Sequence, residues 1–208
     1  MTKFVPQPGF TILFGGSFNP VHWGHLHTAD AAQQELQAEK LLFIPAALSP
    51  HKKADAPDNA IDRLNMLQLA TAGHSGWEVC DLELNRPPPS FTWDTVQILR
   101  QERPERRFVL LIGADQLPRL HTWKQYDDLV QTVEFAVLPR PGWPIPQSPP
   151  GNIAGQTWQN FHILASPEYP ISSSEIRHRA GAGLPIDDLV PPAVGAYIAA
   201  NRLYKQIG

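Results

Sequence analysis

The sequence predicts an α/β fold, a doubly wound, Rossmann-like parallel sheet with helices on both faces, in a single domain over residues 1–208. Short apolar runs alternate with stretches of helical periodicity along the chain. A length of 208 residues suits one domain of this kind, and 42% hydrophobic with 18% charged residues is the composition of a folded protein. In such sheets ligands bind at the carboxyl ends of the strands, where the strand order reverses, so functional residues are expected there.

The pattern of residues 10–44 predicts a strand, a helix and a second strand. An apolar run over 10–14 ends in two glycines, which is typical of a buried parallel strand followed by a tight turn. Apolar residues recur at helical spacing from 24 to about 36, and a second apolar run over 41–44 ends at a proline.

Two later helices are predicted from polar residues that can cap them. Asn59 precedes a helix with one apolar face, and Thr92 precedes another. The predicted core-facing positions are Ile61, Leu64, Leu67 and Ala70 in the first and Val96 and Leu99 in the second.

The second half supplies further strands and a terminal helix. Apolar runs predict strands over 108–112 and 134–138, with a weaker one over 161–164. The prolines of 140–151 exclude a helix or central strand and predict an irregular excursion. Pro191-Pro192 is expected to start a helix that packs on the body of the domain.

Composition also narrows the classes of partner. A net charge of -3 argues against the broad basic surface that binds nucleic acid. The single cysteine, Cys80, cannot form an intramolecular disulfide, so a reducing cytoplasm is the expected setting. No signal-like start and no run of about 18 apolar residues occurs, so no membrane association is expected. The oligomeric state is left open, a homo-oligomer included.

The segment 15–25 carries the most chemical information. Gly15 and Gly16 let the backbone approach a ligand, while His22 and His25 lie three residues apart at a helix start and face one site. Imidazole N–H groups beside exposed amides of a helix N-terminus suit a polyphosphate. The alternative is a plain turn with two ordinary surface histidines.

His22-Trp23-Gly24-His25 resembles the HxGH signature of the nucleotidylyltransferase superfamily, and the chain resembles the bacterial nicotinate-nucleotide adenylyltransferases within it. Further segments match that family in order along the chain. They are Ser49-Pro50-His51-Lys52, the run 63–67, the run 90–95, the run 112–117 with Trp123 downstream, and Ile171-Ser172-Ser173-Ser174-Glu175-Ile176-Arg177. The family usually has Asp at the place of Asn19, where related enzymes that accept nicotinamide mononucleotide have Asn, and Thr at the place of Ser174.

The resemblance implies three groups of site residues. It assigns ATP to Gly15, Gly16, Ser17, Phe18, Gly113, Asp115, Ile171, Ser173 and Ser174. It assigns nicotinate mononucleotide to Asn19, Ala46, Ala47, Thr92 and Trp123, and charge stabilisation during transfer to His22, His25, Lys52 and Arg177. The implied reaction is in-line attack by the mononucleotide phosphate on the α-phosphorus of ATP, with Mg²⁺ on the phosphates and no metal site built by the protein alone.

Several of these residues have simpler explanations. Ser172 and Glu175 form a capping-box pattern, and Asp115 is suited either to ribose hydroxyls or to capping a helix. Lys52 lies in a polar loop, where most lysines are solvated. The pyridine carboxylate is expected to meet backbone N–H groups near Ala46, Ala47 and Thr92, with the ring on Trp123.

Three other functions compete with this interpretation. An enzyme acting on phosphopantetheine, or a cytidylyltransferase, usually has Thr at the place of His22. A class I aminoacyl-tRNA synthetase needs an anticodon domain for which the chain has no room. A non-catalytic nucleotide sensor keeps the binding turn but releases no pyrophosphate.

Overall fold

The computed structural model describes residues 9–48, 59–140, 142–146, 157–165, 167 and 169–205. Within them lie six strands: β1 (Phe10–Gly16), β2 (Lys40–Pro45), β3 (Trp77–Val79), β4 (Arg107–Gly113), β5 (Glu134–Leu138) and β6 (Phe161–Ile163). They form one sheet in the order β3-β2-β1-β4-β5-β6, and each neighbouring pair is parallel. The predicted doubly wound sheet is confirmed.

Helices cover both faces of the sheet. They are α1 (Trp23–Leu36), α2 (Ala60–Thr71), α3 (Thr92–Glu102), α4 (Tyr126–Thr132), α5 (Ser173–Gly181) and α6 (Pro192–Ala200), with 3-10 helices at Ala114–Thr122 and Thr157–Asn160. Alternate strand residues point to opposite faces. On β1, Phe10, Ile12 and Phe14 face one side and pack with α1, α2, α5 and α6. Leu13 faces the other side and packs with α3, α4 and the longer 3-10 helix.

The strand order places the reversal point between β1 and β4. The chain moves outward from β1 through β2 to β3, then returns to pair β4 against the other side of β1. The loops after these two central strands therefore diverge to opposite faces and leave a crevice at their carboxyl ends. These loops begin at Gly16 and Gly113, close to the residues that the sequence singles out.

Two local predictions are wrong, the inward-facing Ile61 and the Thr92 cap, and one edge strand was not predicted. The edge strand β3 is only three residues long, too short for a periodicity signal. Asn59 caps α2 through its Oδ1 as predicted, but Ile61 is 67% exposed while Arg63 is buried. Arg63 turns inward because its guanidinium has a carbonyl partner there. Thr92 is the first residue of α3, and Phe91 precedes it without a side-chain cap.

The C-terminal helix and the strand ends agree closely with the sequence. α6 begins at Pro192, and its Val194 and Ile198 are buried against the first core cluster. No helix in the described ranges is both long and apolar enough to cross a membrane. The proline-rich segment 140–151 is described only over 140 and 142–146, where Arg140 and Trp143 form a small antiparallel bridge.

Candidate active site

A cleft of about 450 Å³ opens at the carboxyl ends of β1 and β4. It brings together ten of the residues predicted for the site: Gly15, Gly16, Ser17, Phe18, His25, Ala46, Thr92, Gly113, Asp115 and Trp123. The other described candidates are not among the residues that line the cleft: His22, Asn19, Ala47, Ile171, Ser173, Ser174 and Arg177. Lys52, with the rest of the segment 49–52, lies outside the described residues.

The turn after β1 is shaped by close contact between Gly16 and Phe18. A Cβ on Gly16 would lie 2.9 Å from Cζ of Phe18, so only glycine leaves room for the ring. Phe18 has φ of 47°, an uncommon conformation for a residue with a side chain, and its ring is buried against Phe14 and Phe43. Gly15 differs, because a Cβ there would meet none of the described atoms within 4 Å and would project into space at the cleft.

His22 has a structural task at the start of α1 and is not among the described residues that line the cleft. It is the N-cap of α1, and its Nδ1 accepts a hydrogen bond from the backbone N–H of His25 at 3.3 Å. The neutral ring therefore carries its proton on Nε2, so one N–H is available as a donor, not two. Burial, and then the charge of Arg140, lower the pKa of His22 to about 4. His22 is thus a neutral donor at pH 7 and adds no positive charge.

His25 lies beside His22 with its ring in an aromatic setting. The two imidazole centroids are 3.7 Å apart with an angle of 26° between the planes. The edge of His25 also meets the ring of Phe18 at 5.0 Å, and His25 lines the cleft. The two histidines therefore act as a stacked pair in which His25 is the outer member.

Gly24 brings α1 and the segment before α5 together. A Cβ on Gly24 would lie 3.0 Å from Nδ1 of His22 and 3.5 Å from Cβ of Ile171. The glycine between the two histidines therefore leaves room for close packing against the His22 ring. It lets Ile171 come close to the His22 ring, so the start of α5 stands next to the start of α1.

The α5 residues predicted to bind ATP contact the turn after β1. Ser173 Oγ donates to the carbonyl of Pro20 at 2.9 Å, and Arg177 Nη1 donates to the carbonyl of Asn19 at 2.8 Å. Arg177 Nη2 also donates to Ser174 Oγ at 3.2 Å, while Ser172 caps the helix as predicted. The structure thus gives Arg177 a bracing role in addition to any role toward phosphate.

The wall opposite the histidines is formed by the start of α3 and the loop after β2. Ala46 N–H donates to the Gly16 carbonyl, and Ala47 N–H donates to Ser90 Oγ at 3.0 Å. Both amides are used inside the protein, contrary to the expectation that they receive a ligand carboxylate. The first-turn amides of α3, those of Thr92 and Trp93, lack intrahelical acceptors by position and remain the donors in this wall.

Trp123 closes one side of the cleft. It follows the 3-10 helix, is half-buried and lines the cavity. Its indole Nε1–H is buried and meets no acceptor within the described part of the chain. A buried donor without a partner is costly, which favours an acceptor supplied by a ligand or water at this place.

Residues 13–179, which span both histidines and most of α5, match the family model described as cytidylyltransferase-like. The chain belongs to the cytidylyltransferase-like family. Within that family it groups with the nicotinate-nucleotide adenylyltransferases. A probable nicotinate-nucleotide adenylyltransferase of Neisseria meningitidis serogroup B is 39% identical over 198 residues, covering 93% of this chain and 98% of that protein. One from Moorella thermoacetica is 37% identical, covering 98% and 95%.

Solved structures agree at the level of the fold. The nicotinic acid mononucleotide adenylyltransferase of Plasmodium falciparum complexed with NaAD aligns with a TM-score of 0.73 at 19% identity, covering 94% of this chain and 97% of that one. A putative nicotinate-nucleotide adenylyltransferase from Vibrio parahaemolyticus aligns at 0.66 and 15%. The architecture of this adenylyltransferase is therefore that of solved members.

Arg140 is a cleft residue that the sequence did not single out. It follows β5 at the carboxyl edge of the sheet and lines the cleft. Its Nε lies 3.9 Å from Oδ1 of Asp115 and 3.0 Å from where a Cβ on Gly113 would stand. Its position directly after a predicted parallel strand was the available signal.

Two further polar residues support the walls. Glu83 lines the cleft, is 8% exposed and accepts from Thr95 Oγ1 at 2.6 Å, while Arg86 donates to the same hydroxyl. Arg63, 1% exposed, donates from Nη1 to the Ser17 carbonyl at 2.9 Å. A buried charge of this kind requires a specific partner, and here the partner is the turn after β1.

Proposed function

We propose that the chain transfers the AMP part of ATP to nicotinate mononucleotide, producing nicotinate adenine dinucleotide and pyrophosphate in NAD biosynthesis. The observation that carries this proposal is the cleft at the strand-order reversal, which joins the glycine turn after β1, His25, Asp115 and the start of α3. Relatives named for this activity align over nearly the whole chain. The substrate is inferred from the names of these relatives, and the residues that line the cleft are of the types that bind nucleotides.

In this proposal ATP lies against the turn after β1 and the adjoining start of α5. Gly15 and Gly16 admit the phosphates to the backbone, Ser17 and Phe18 form the turn, and the Nε2–H of His22 donates to a phosphate oxygen. Asp115 receives ribose hydroxyls beside Gly113. Ile171, Ser173 and Ser174 bring the α5 amides to the triphosphate, where a helix N-terminus favours anions.

Four cationic or donor groups stabilise the charge that develops during transfer. They are His25, Lys52 and Arg177 as expected from the sequence, and Arg140, whose guanidinium already stands at the cleft. The attacking phosphate is an anion and needs no general base. Positioning and charge stabilisation are therefore sufficient for in-line displacement, and no covalent enzyme intermediate is required.

Magnesium fits this site only as a companion of the phosphates. The described residues contain no group of three or more His, Cys, Asp or Glu side chains placed to hold a metal, and Asp115 lies beside Arg140. Mg²⁺ retains water and accepts substrate phosphate oxygens as ligands. When bound there it neutralises the triphosphate, while this chain's residues orient it.

Nicotinate mononucleotide is placed against Asn19, Ala46, Ala47, Thr92 and Trp123. The first-turn amides of α3 receive the pyridine carboxylate, because negative charge is favoured at a helix N-terminus. Trp123 stacks on the ring, and Ala46 and Ala47 shape the wall. A nicotinamide group turns an NH₂ donor toward these N–H donors, which costs about 1–3 kcal/mol, or one to two decades in discrimination.

A pyrophosphate-release assay with ATP and a panel of mononucleotides tests the proposal. We expect turnover with nicotinate mononucleotide. With nicotinamide mononucleotide kcat/KM is expected to be about tenfold to a hundredfold lower, because the amide leaves a buried donor without an acceptor. Equal values, or a preference for the amide, contradict the acceptor assignment. Turnover of phosphopantetheine instead identifies a sister activity, and no pyrophosphate with any acceptor identifies a sensor.

A further inference from the structure

The C-terminal turn of the chain reaches into the first turn of the site. After α6, residues 201–205 fold back so that the hydroxyl of Tyr204 donates to Oδ1 of Asn19 at 2.7 Å. These residues are 185 positions apart in sequence. Asn19 is half-buried and belongs to the turn after β1, whose residues Ser17 and Phe18 line the cleft.

The backbone of this turn is held in an uncommon conformation. Arg202 and Tyr204 have φ of 53° and 64°, in the left-handed region that residues with a side chain seldom adopt. Leu203 N–H donates to the Ile198 carbonyl at 3.0 Å, and Leu203 and Tyr204 pack against the core. The Leu203 bond belongs to a Schellman motif that ends α6, with Arg202 in the left-handed position, and packing against the core then holds Tyr204 in place.

Tyr204 also contacts the helix that carries Arg177. A Cβ on Gly181, the last residue of α5, would lie 2.7 Å from the Tyr204 carbonyl oxygen, so only glycine allows this approach. Arg177 itself donates to the Asn19 backbone carbonyl. The backbone carbonyl of Asn19 is thus bonded by Arg177 of α5, and its side chain is bonded by Tyr204 of the C-terminal turn. The C-terminal turn and α5 also contact each other at Gly181.

We propose that Tyr204 is a positioning residue for the transfer reaction and acts through Asn19. Its hydroxyl fixes the rotation of the Asn19 carboxamide, so that the side chain meets the mononucleotide in one orientation. This inference rests on the proposed function, in which Asn19 contacts the acceptor and α5 contacts ATP. It assigns the C-terminal turn to the acceptor half of the site.

Tyr204→Phe removes the hydroxyl and keeps the ring. Losing one neutral hydrogen bond predicts a KM for the mononucleotide about 3- to 10-fold higher, with kcat and the KM for ATP unchanged. Tyr197→Phe is the matched control, because the Tyr197 hydroxyl bonds Asp62 and Asn65 on α2 and, among the described contacts, no residue of the turn after β1. The control is expected to alter thermal stability and leave both KM values as in the wild type.

A double-mutant cycle with Asn19→Ala separates positioning from general stability. Because Tyr204 acts through the Asn19 side chain, the double variant is expected to match Asn19→Ala alone in KM for the acceptor. Additive effects, an unchanged KM in Tyr204→Phe, or a change confined to melting temperature each overturn the inference.

The acceptor in these titrations is the mononucleotide that the wild type uses best. A wild type that prefers another mononucleotide overturns the proposed substrate and leaves the Tyr204 cycle measurable. A wild type that adenylates none of them overturns both proposals.

Discussion

The imidazole of His22 accepts a hydrogen bond at Nδ1 from the backbone N–H of His25, and the two rings stack at 3.7 Å between centroids. One residue therefore caps a helix and keeps its proton on Nε2, the group that donates to a phosphate oxygen in the proposed function. The His-x-Gly-His spacing makes this geometry possible. When the first histidine is the N-cap, the second is the third residue of the helix, whose backbone N–H an N-cap side chain accepts.

The double role of His22 predicts different outcomes for two substitutions. Asn is a good N-cap, so His22→Asn is expected to keep the free energy of unfolding within about 1 kcal/mol of wild type, whereas His22→Ala loses about 0.5–2 kcal/mol more with the cap. Both lack the Nε2 donor and are expected to lose about 10²–10³ in kcat. Urea unfolding and steady-state turnover measure the two effects. Near-normal turnover of a folded His22→Asn variant contradicts a phosphate role.

The buried imidazole also predicts a pH dependence of stability. His22 has a pKa of about 4 in the folded protein against 6.5 for the free side chain, chiefly because of burial and secondly because of the charge of Arg140. Between pH 6.5 and 4 the unfolded chain binds the extra proton, so this contribution to stability is complete above pH 6.5 and is lost as the pH falls toward 4.

The loss relative to His22→Asn is about 2.5 kcal/mol at pH 4.5, from the pKa difference. Unfolding free energies of both proteins at pH 7, 5.5 and 4.5 measure it, because the other seven histidines are common to both and cancel. Parallel curves for the two proteins contradict a lowered pKa of His22.

Gly15 and Gly24 are expected to respond in opposite ways to a methyl group. Gly15→Ala places a Cβ where none of the described atoms lies within 4 Å, so its melting temperature is expected to stay near wild type while ATP binding weakens. Gly24→Ala presses on the His22 ring at 3.0 Å, with an overpacking cost of about 1–3 kcal/mol partly offset by helix propensity. The melting temperature of each variant and its affinity for ATP, measured by titration, test this prediction. A destabilised Gly15→Ala, or a Gly24→Ala with wild-type melting and turnover, counts against this assignment.

Arg177 and Arg179 form a matched pair on α5. Arg177 reaches the Asn19 carbonyl and Ser174, whereas Arg179 pairs only with exposed Glu175 one turn back among the contacts seen. Arg177→Ala is expected to raise the KM for ATP about tenfold or more and the acceptor KM less, by loss of charge-assisted hydrogen bonds. Arg177→Lys restores part of this, because lysine lacks the planar fork. Arg179→Ala is expected to match wild type, and an Arg177 effect confined to the acceptor refutes the ATP assignment.

Much of the fold was predictable because it depends on local patterns. The strands at 108–112 and 134–138, the cap at Asn59 and the proline start of α6 follow from burial periodicity and backbone chemistry within a few residues. Strand β3 was not predictable, because an edge strand of three residues is too short to show an alternating pattern. The exposure of Ile61 was not predictable either, because the first turn of a helix can extend beyond the sheet that the rest of the helix covers.

The sequence by itself determined the turn after β1, its two glycines and the paired histidines, because their spacing alone places them at one helix start beside one strand end. Only the tertiary structure decided what holds that turn. Arg63, Arg177 and Tyr204 bond it from 46, 158 and 185 positions away. Periodicity reports which face of an element is buried, but a hydrogen bond between distant elements depends on how those elements pack, and no local pattern encodes that distance.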